Sequence, residues 1–152
     1  MKLAEALILR ADTQKRFQQL QQRLLNSAKV QEGDEPAENP EKLLKEANQT
    51  ANELEKLIKR INQTNSETAF TKGKTLTEAL AERDVLLLKR NVYFNLANSA
   101  AVSQQRYTRS EIKFVSTVDV AAIQKQADKL AQNYRDLDAK IQELNWKTDL
   151  VE

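Results

Sequence analysis

Apolar residues recur along this chain at alternating intervals of three and four, the spacing that lines one face of an α-helix. The first run covers about Leu3 to Ala28, with Leu3, Ala6, Arg10, Thr13, Phe17, Leu20, Leu24 and Ser27 on one seam and Leu7 beside it. A second run follows Asn39-Pro40. There Asn39 suits a side-chain cap and Pro40 the first helical position, where its missing N–H costs nothing. The seam of this second helix reads Leu44, Ala47, Ala51, Leu54, Ile58, Ile61 and Asn65, a heptad pattern. Thr75-Leu76-Thr77-Glu78 is a capping box that opens the third helix, which runs to about Ala101 along Leu76, Leu80, Arg83, Leu87, Arg90, Phe94, Ala97 and Ala101. The fourth spans about Val118 to Lys147 along Val120, Ile123, Ala127, Leu130, Tyr134, Leu137, Ile141 and Leu144.

Each of these helices is roughly 40–45 Å long at 1.5 Å per residue, and matched lengths suit antiparallel neighbours. The pattern predicts an all-α single domain over residues 1–152: four long helices in an antiparallel bundle or in paired coiled-coil hairpins. Lys29 to Glu41 holds Gly33, Pro36, five acids and one lysine, and reads as a loop; Ser66 to Lys74 is the second connector. Glu111-Ile112-Lys113-Phe114-Val115 has strand character, and a strand needs a partner for its backbone groups. The expected partner is Lys29-Val30-Gln31-Glu32, a short strand pairing between connectors whose charges are opposite in sign.

The third helix carries a second apolar stripe, Ala81, Val85, Leu88, Val92 and Leu96, well around the cylinder from its seam. A bundle helix needs one apolar face, so the surplus one points to self-association, with Val85, Leu88, Val92 and Leu96 as its face. Composition agrees with few, long helices, because only 2 glycines and 2 prolines occur in 152 residues. The formal charge of +2 gives no overall field toward nucleic acid or anionic lipid.

No cysteine and no histidine occur, which removes disulfides, thiolate nucleophiles, ordinary zinc sites and imidazole acid–base chemistry. The expectation is a non-enzymatic cytoplasmic protein without cofactor or metal. The apolar opening is no signal sequence, because Glu5 interrupts it and Arg10 and Asp12 end it. Arg10, Arg83 and Arg90 stand at seam positions where apolar side chains are expected, with Asp12, Glu78, Glu82, Asp84 and Asp138 as possible partners. Buried guanidinium groups must be paired or must reach solvent along their stems. They form either register-fixing polar layers or a pocket for an anionic ligand. Phe70-Thr71-Lys72-Gly73-Lys74-Thr75 has the tail of a phosphate-binding loop, but Thr68 stands where that loop needs glycine and a helix precedes it, so it reads as a turn. Arg106-Tyr107-Thr108-Arg109 with Lys113 and Phe114 mixes basic and aromatic residues as single-strand binders do, but the cluster is small. Glu78 and Glu82 lie one turn apart without the histidines that di-iron bundles require.

Several segments also carry a resemblance: Met1-Lys2-Leu3-Ala4-Glu5-Ala6-Leu7, Val30-Gln31-Glu32-Gly33-Asp34-Glu35-Pro36, Arg60-Ile61-Asn62-Gln63-Thr64-Asn65, Thr75 to Asp84, Arg109-Ser110-Glu111-Ile112-Lys113 and Ile141-Gln142-Glu143-Leu144-Asn145-Trp146. In this order they resemble the small bacterial family often labelled septicolysin, over essentially the whole chain. The resemblance implies a helical protein and, by its label, a cell-lysing activity; it carries over no active residues. Three functional expectations follow: a self-associating helical scaffold or interaction module, a membrane-active lysin, and an anion-binding protein or enzyme using the arginines.

Overall fold

The computed structural model describes residues 1–101 and 112–152. In chain order its elements are α1 (Leu3–Asn26), α2 (Pro40–Glu67), β1 (Ala69–Thr71), β2 (Lys74–Thr75), α3 (Leu76–Ala100) and α4 (Val120–Lys147). The fold is therefore the four-helix, all-α class that the periodicity implies, with one short antiparallel strand pair. The chain forms two compact units, Met1–Thr75 with Gln142–Glu152, and Leu76–Ile141.

In the first unit α1 and α2 run antiparallel, with Arg23 bonded to Glu38 near the connecting loop and Arg16 to Glu46 (2.9 Å) further along. Between them Leu20, Leu43 and Ala47 are buried, with Phe17 and Leu24 packed against this cluster. Burial of each leucine contributes roughly 1.5–3 kcal/mol. Every seam position read for α1 is buried or half-buried. α2 begins as its sequence indicates, with the Asn39 side-chain oxygen accepting from the N–H groups of Glu41 (2.9 Å) and Lys42 (3.3 Å).

The seam of α2 is rotated from the expected one. Of the expected positions Ala47 and Ile61 are buried and Ala51, Leu54, Ile58 and Asn65 half-buried, but Leu44 is 54% exposed, and Leu43, Thr50, Leu57 and Thr64 complete the buried row. Two heptad registers compete, because apolar residues stand side by side at 43/44 and 57/58. The threonines can occupy the interior because each hydroxyl donates to the carbonyl one turn back, Thr50 to Glu46 (2.9 Å) and Thr64 to Arg60 (2.8 Å). A hydroxyl so bonded no longer carries an unmet desolvation cost.

The strand pairing lies elsewhere than expected. Ala69–Thr71 and Lys74–Thr75 form a hairpin, with Thr71 opposite Lys74 and the turn at Lys72-Gly73. Gly73 takes φ of +85°, which glycine adopts without a Cβ clash. Lys29–Gln31 and Ile112–Val115 are not strands, and Ile112, Phe114 and Val115 are 93%, 89% and 77% exposed; Glu111 lies outside the described residues. A partner reached through two residues costs far less loop-closure entropy than one some eighty residues away.

The chain ends also meet in the first unit. Lys2 and Asp149 form an antiparallel bridge, with the Leu3 N–H donating to the Thr148 carbonyl and the Leu150 N–H to the Met1 carbonyl (both 2.9 Å). Arg60 Nε donates to the Val151 carbonyl (2.7 Å), and the Val151 N–H donates to the Thr64 hydroxyl (3.1 Å). The second unit contains α3 and most of α4, which pack against each other and are tied by Arg83 and Asp138 (3.0 Å). Asp119 caps α4, its carboxylate accepting from the Ala122 N–H (3.1 Å), so the helix starts at Val120 rather than Val118. All eight positions read for the α4 seam are buried or half-buried.

Candidate functional site

α3 is apolar on two opposite sides. Its covered side follows most of the expected seam, with Leu76 and Ala97 buried and Leu80, Arg83, Arg90 and Phe94 half-buried. Leu87 (40%) and Ala101 are exposed instead, and Ala79 and Leu86 take covered places on this side. On the far side Val85, Leu88, Val92 and Leu96 are 46%, 64%, 65% and 40% exposed. At 100° per residue these four lie within an arc of about 80° and span roughly 16 Å along the axis. Leu25 on α1 and Leu44 on α2 are exposed singly and need no explanation.

The covered side carries a charged group whose arginines are already paired. Arg83 donates through Nη1 to Asp138 Oδ1 (3.0 Å) and through Nε and Nη2 to Asp84 Oδ1 (both 3.1 Å). Burial works against its charge, but the bonds to the two aspartates outweigh that and hold its pKa above the ordinary arginine value. Arg90 donates to Asn91 Oδ1 (3.2 Å) and stacks its guanidinium 4.2 Å above the Phe94 ring. Cation–π contact with an arginine plane contributes about 0.5–1 kcal/mol at such a partly exposed site. Glu78 sits in the first turn of α3. Arg10 is half-buried on α1 in the other unit, so neither unit by itself brings all three arginines together. Of the five possible partners of the seam arginines, Arg83 takes Asp84 beside it and Asp138, 55 residues away.

The remaining motifs resolve simply. Gly-Lys-Thr at 73–75 is the return of the hairpin into α3, without a phosphate cradle. Arg106, Tyr107, Thr108 and Arg109 lie outside the described residues, and Phe114 beside them is 89% exposed. Among the described residues no group of three or more carboxylates is placed to hold a metal ion. Among the same residues no helix is long and apolar enough to cross a membrane.

Comparison with known proteins gives a family without an assigned activity. No curated protein matches the chain. A crystal structure of a functionally unknown conserved protein from Corynebacterium diphtheriae is similar at 51% identity and a TM-score of 0.94, covering 99% of each chain. Neither this description nor the family's carries the septicolysin label, so the resemblance narrows to an uncharacterised family. Residues 10–150 match the model of a family of unknown function, DUF6847, and the chain belongs to that family.

Proposed function

We infer that this protein is a non-enzymatic, cytoplasmic, self-associating helical protein that works as a scaffold or interaction module through the outer face of α3. The observation that carries this reading is the exposure of Val85, Leu88, Val92 and Leu96 in one row. The pairing of Arg83 with two aspartates supports it as well, because a guanidinium already neutralised has little attraction left for an anionic ligand. Magnitudes set the strength. Covering the exposed half of each side chain gains roughly 1 kcal/mol, or about 8 kcal/mol for a symmetric pair. Association costs about 4–15 kcal/mol in lost rigid-body freedom. At the low end of that cost about 4 kcal/mol remains, so the stripe predicts weak, concentration-dependent pairing with a dissociation constant on the order of millimolar.

Sedimentation velocity over a range on the order of 10 µM to 1 mM tests this. The average mass is expected to rise with concentration, and Leu88→Glu, at a position 64% exposed, is expected to abolish the rise without loss of helicity. A strict monomer throughout overturns the reading. A monomer that instead releases dye from liposomes at physiological salt transfers the apolar face to a membrane surface.

A further inference from the structure

The geometry points to a second copy of this chain as the occupant of the α3 face, paired parallel and in register about a two-fold axis. This rests on the self-association reading above and adds its orientation and its contacts.

The stripe is a short coiled-coil seam. Val85 and Val92 fall at a positions, Leu88 and Asn95 at d, Asp84 and Asn91 at g, and Lys89 and Leu96 at e. Valine at a with leucine at d is the combination that favours two parallel strands. Isolated coiled coils need several heptads to offset helix nucleation, but α3 is already formed within its own unit, so two heptads meet a smaller cost.

Charge decides the orientation. In a parallel pair each g residue lies beside the e residue five positions on in the other chain, so Asp84 meets the second copy's Lys89, twice by symmetry. Both groups are open to this contact: the Asp84 side chain is 67% exposed and Lys89 is exposed. Arg83 takes only Oδ1 of Asp84, leaving Oδ2 without a hydrogen bond among the described residues. Turning one copy over sets each edge of the stripe against its own kind, acid-bearing edge to acid-bearing edge and Lys89 edge to Lys89 edge. Asn95 adds register. In the parallel, in-register pair its amide meets the second copy's Asn95 and the two hydrogen-bond, whereas slippage sets a polar amide against valine or leucine.

The chain has no cysteine of its own, so single-cysteine variants report proximity cleanly. Val85→Cys and Val92→Cys, both at exposed positions, are oxidised at a protein concentration where the wild type associates. Leu44→Cys on α2 serves as the collisional control. Both seam variants are expected to form covalent dimers faster than the control. Lys89→Asp is expected to weaken association roughly 2- to 30-fold by losing two exposed pairs, and Asp84→Lys combined with Lys89→Asp to restore it. An antiparallel pair brings at most one seam position close to its own copy. Cross-linking at only one of the two, or at neither while the wild type sediments as a dimer, overturns the parallel arrangement and leaves self-association standing. A monomeric wild type with no cross-linking above the control overturns both.

Discussion

The register of α2 yields the sharpest prediction, because two neighbouring leucines exchange roles between the expected seam and the observed one. Leu43 is 4% exposed and packs with Leu20 and Ala47, whereas Leu44 is 54% exposed. Leu43→Ala removes three carbon atoms from a closed contact, about 2.4 kcal/mol of transfer free energy at 0.8 kcal/mol per methylene. The cavity left behind brings the expected loss to about 3 kcal/mol, within the usual 2–5 for buried leucine. Leu44→Ala forfeits less than half the transfer and regains a few tenths of a kcal/mol in helix propensity, so about 1 kcal/mol or less is expected. Urea unfolding followed by far-ultraviolet circular dichroism and by fluorescence of Trp146 measures both. Trp146 is the sole tryptophan and belongs to the same unit as α1 and α2. The Leu43 variant should lower the midpoint by roughly 1–2 M, and the Leu44 variant by well under 1 M. If Leu44→Ala costs as much as Leu43→Ala, the seam runs through Leu44 and the reasoning fails.

Three further outcomes follow from the same unit. Thr64→Val should cost about 1–3 kcal/mol in urea unfolding, since it leaves the Val151 N–H without its acceptor; Thr50→Val, whose hydroxyl only donates to a carbonyl within the helix, should cost under about 1. Asn39→Ala should lower stability by about 0.5–2 kcal/mol through the lost α2 cap, and Asn39→Ser should recover most of it in the same assay. Asp149 is held below the ordinary aspartate pKa, first by its hydrogen bond from Lys2 and then by that charge. Because its native pKa is depressed, its contribution is full above the ordinary value and fades as pH falls through the lowered one. Carbon-13 titration of its carboxyl should show a midpoint below that of a free aspartate, and Lys2→Met should bring the midpoint back up.

Much of the fold was legible because the residues that make it act locally. The α1 and α4 seams could be read position by position, and Asn39-Pro40 announced the start of α2. The α2 register was legible only in part, since hydropathy cannot separate Leu43 from Leu44 and prefers Ala51 to Thr50; only the hydroxyl-to-carbonyl bonds make Thr50 and Thr64 acceptable inside. The strand was misplaced for a related reason. Ile112 to Val115 has the composition of a strand, but pairing depends on a partner within easy reach, which Lys72-Gly73 supplies to Ala69–Thr71 instead. In the candidate site the Arg83–Asp84 contact joins chain neighbours and was visible. Asp138 was one of several candidate carboxylates, and the packing of α3 against α4 is what selects it.

α3 itself poses a question that its outer stripe answers. The seam it turns inward contains Arg83 and Arg90, while the face it turns outward offers Val85, Leu88, Val92 and Leu96. Hydropathy alone would pack this helix the other way round. It packs as observed because the inward arginines are satisfied where they stand, one by two aspartates and the other by a phenylalanine ring. The corresponding outward face of α2 carries Lys45, Asn52, Lys59 and Gln63, as a helix facing only water should. A monomer gains nothing from the opposite choice on α3, since each exposed leucine or valine forgoes transfer free energy it would recover under cover. The gain appears only when another apolar surface of the same length and spacing arrives, and a second α3 has both.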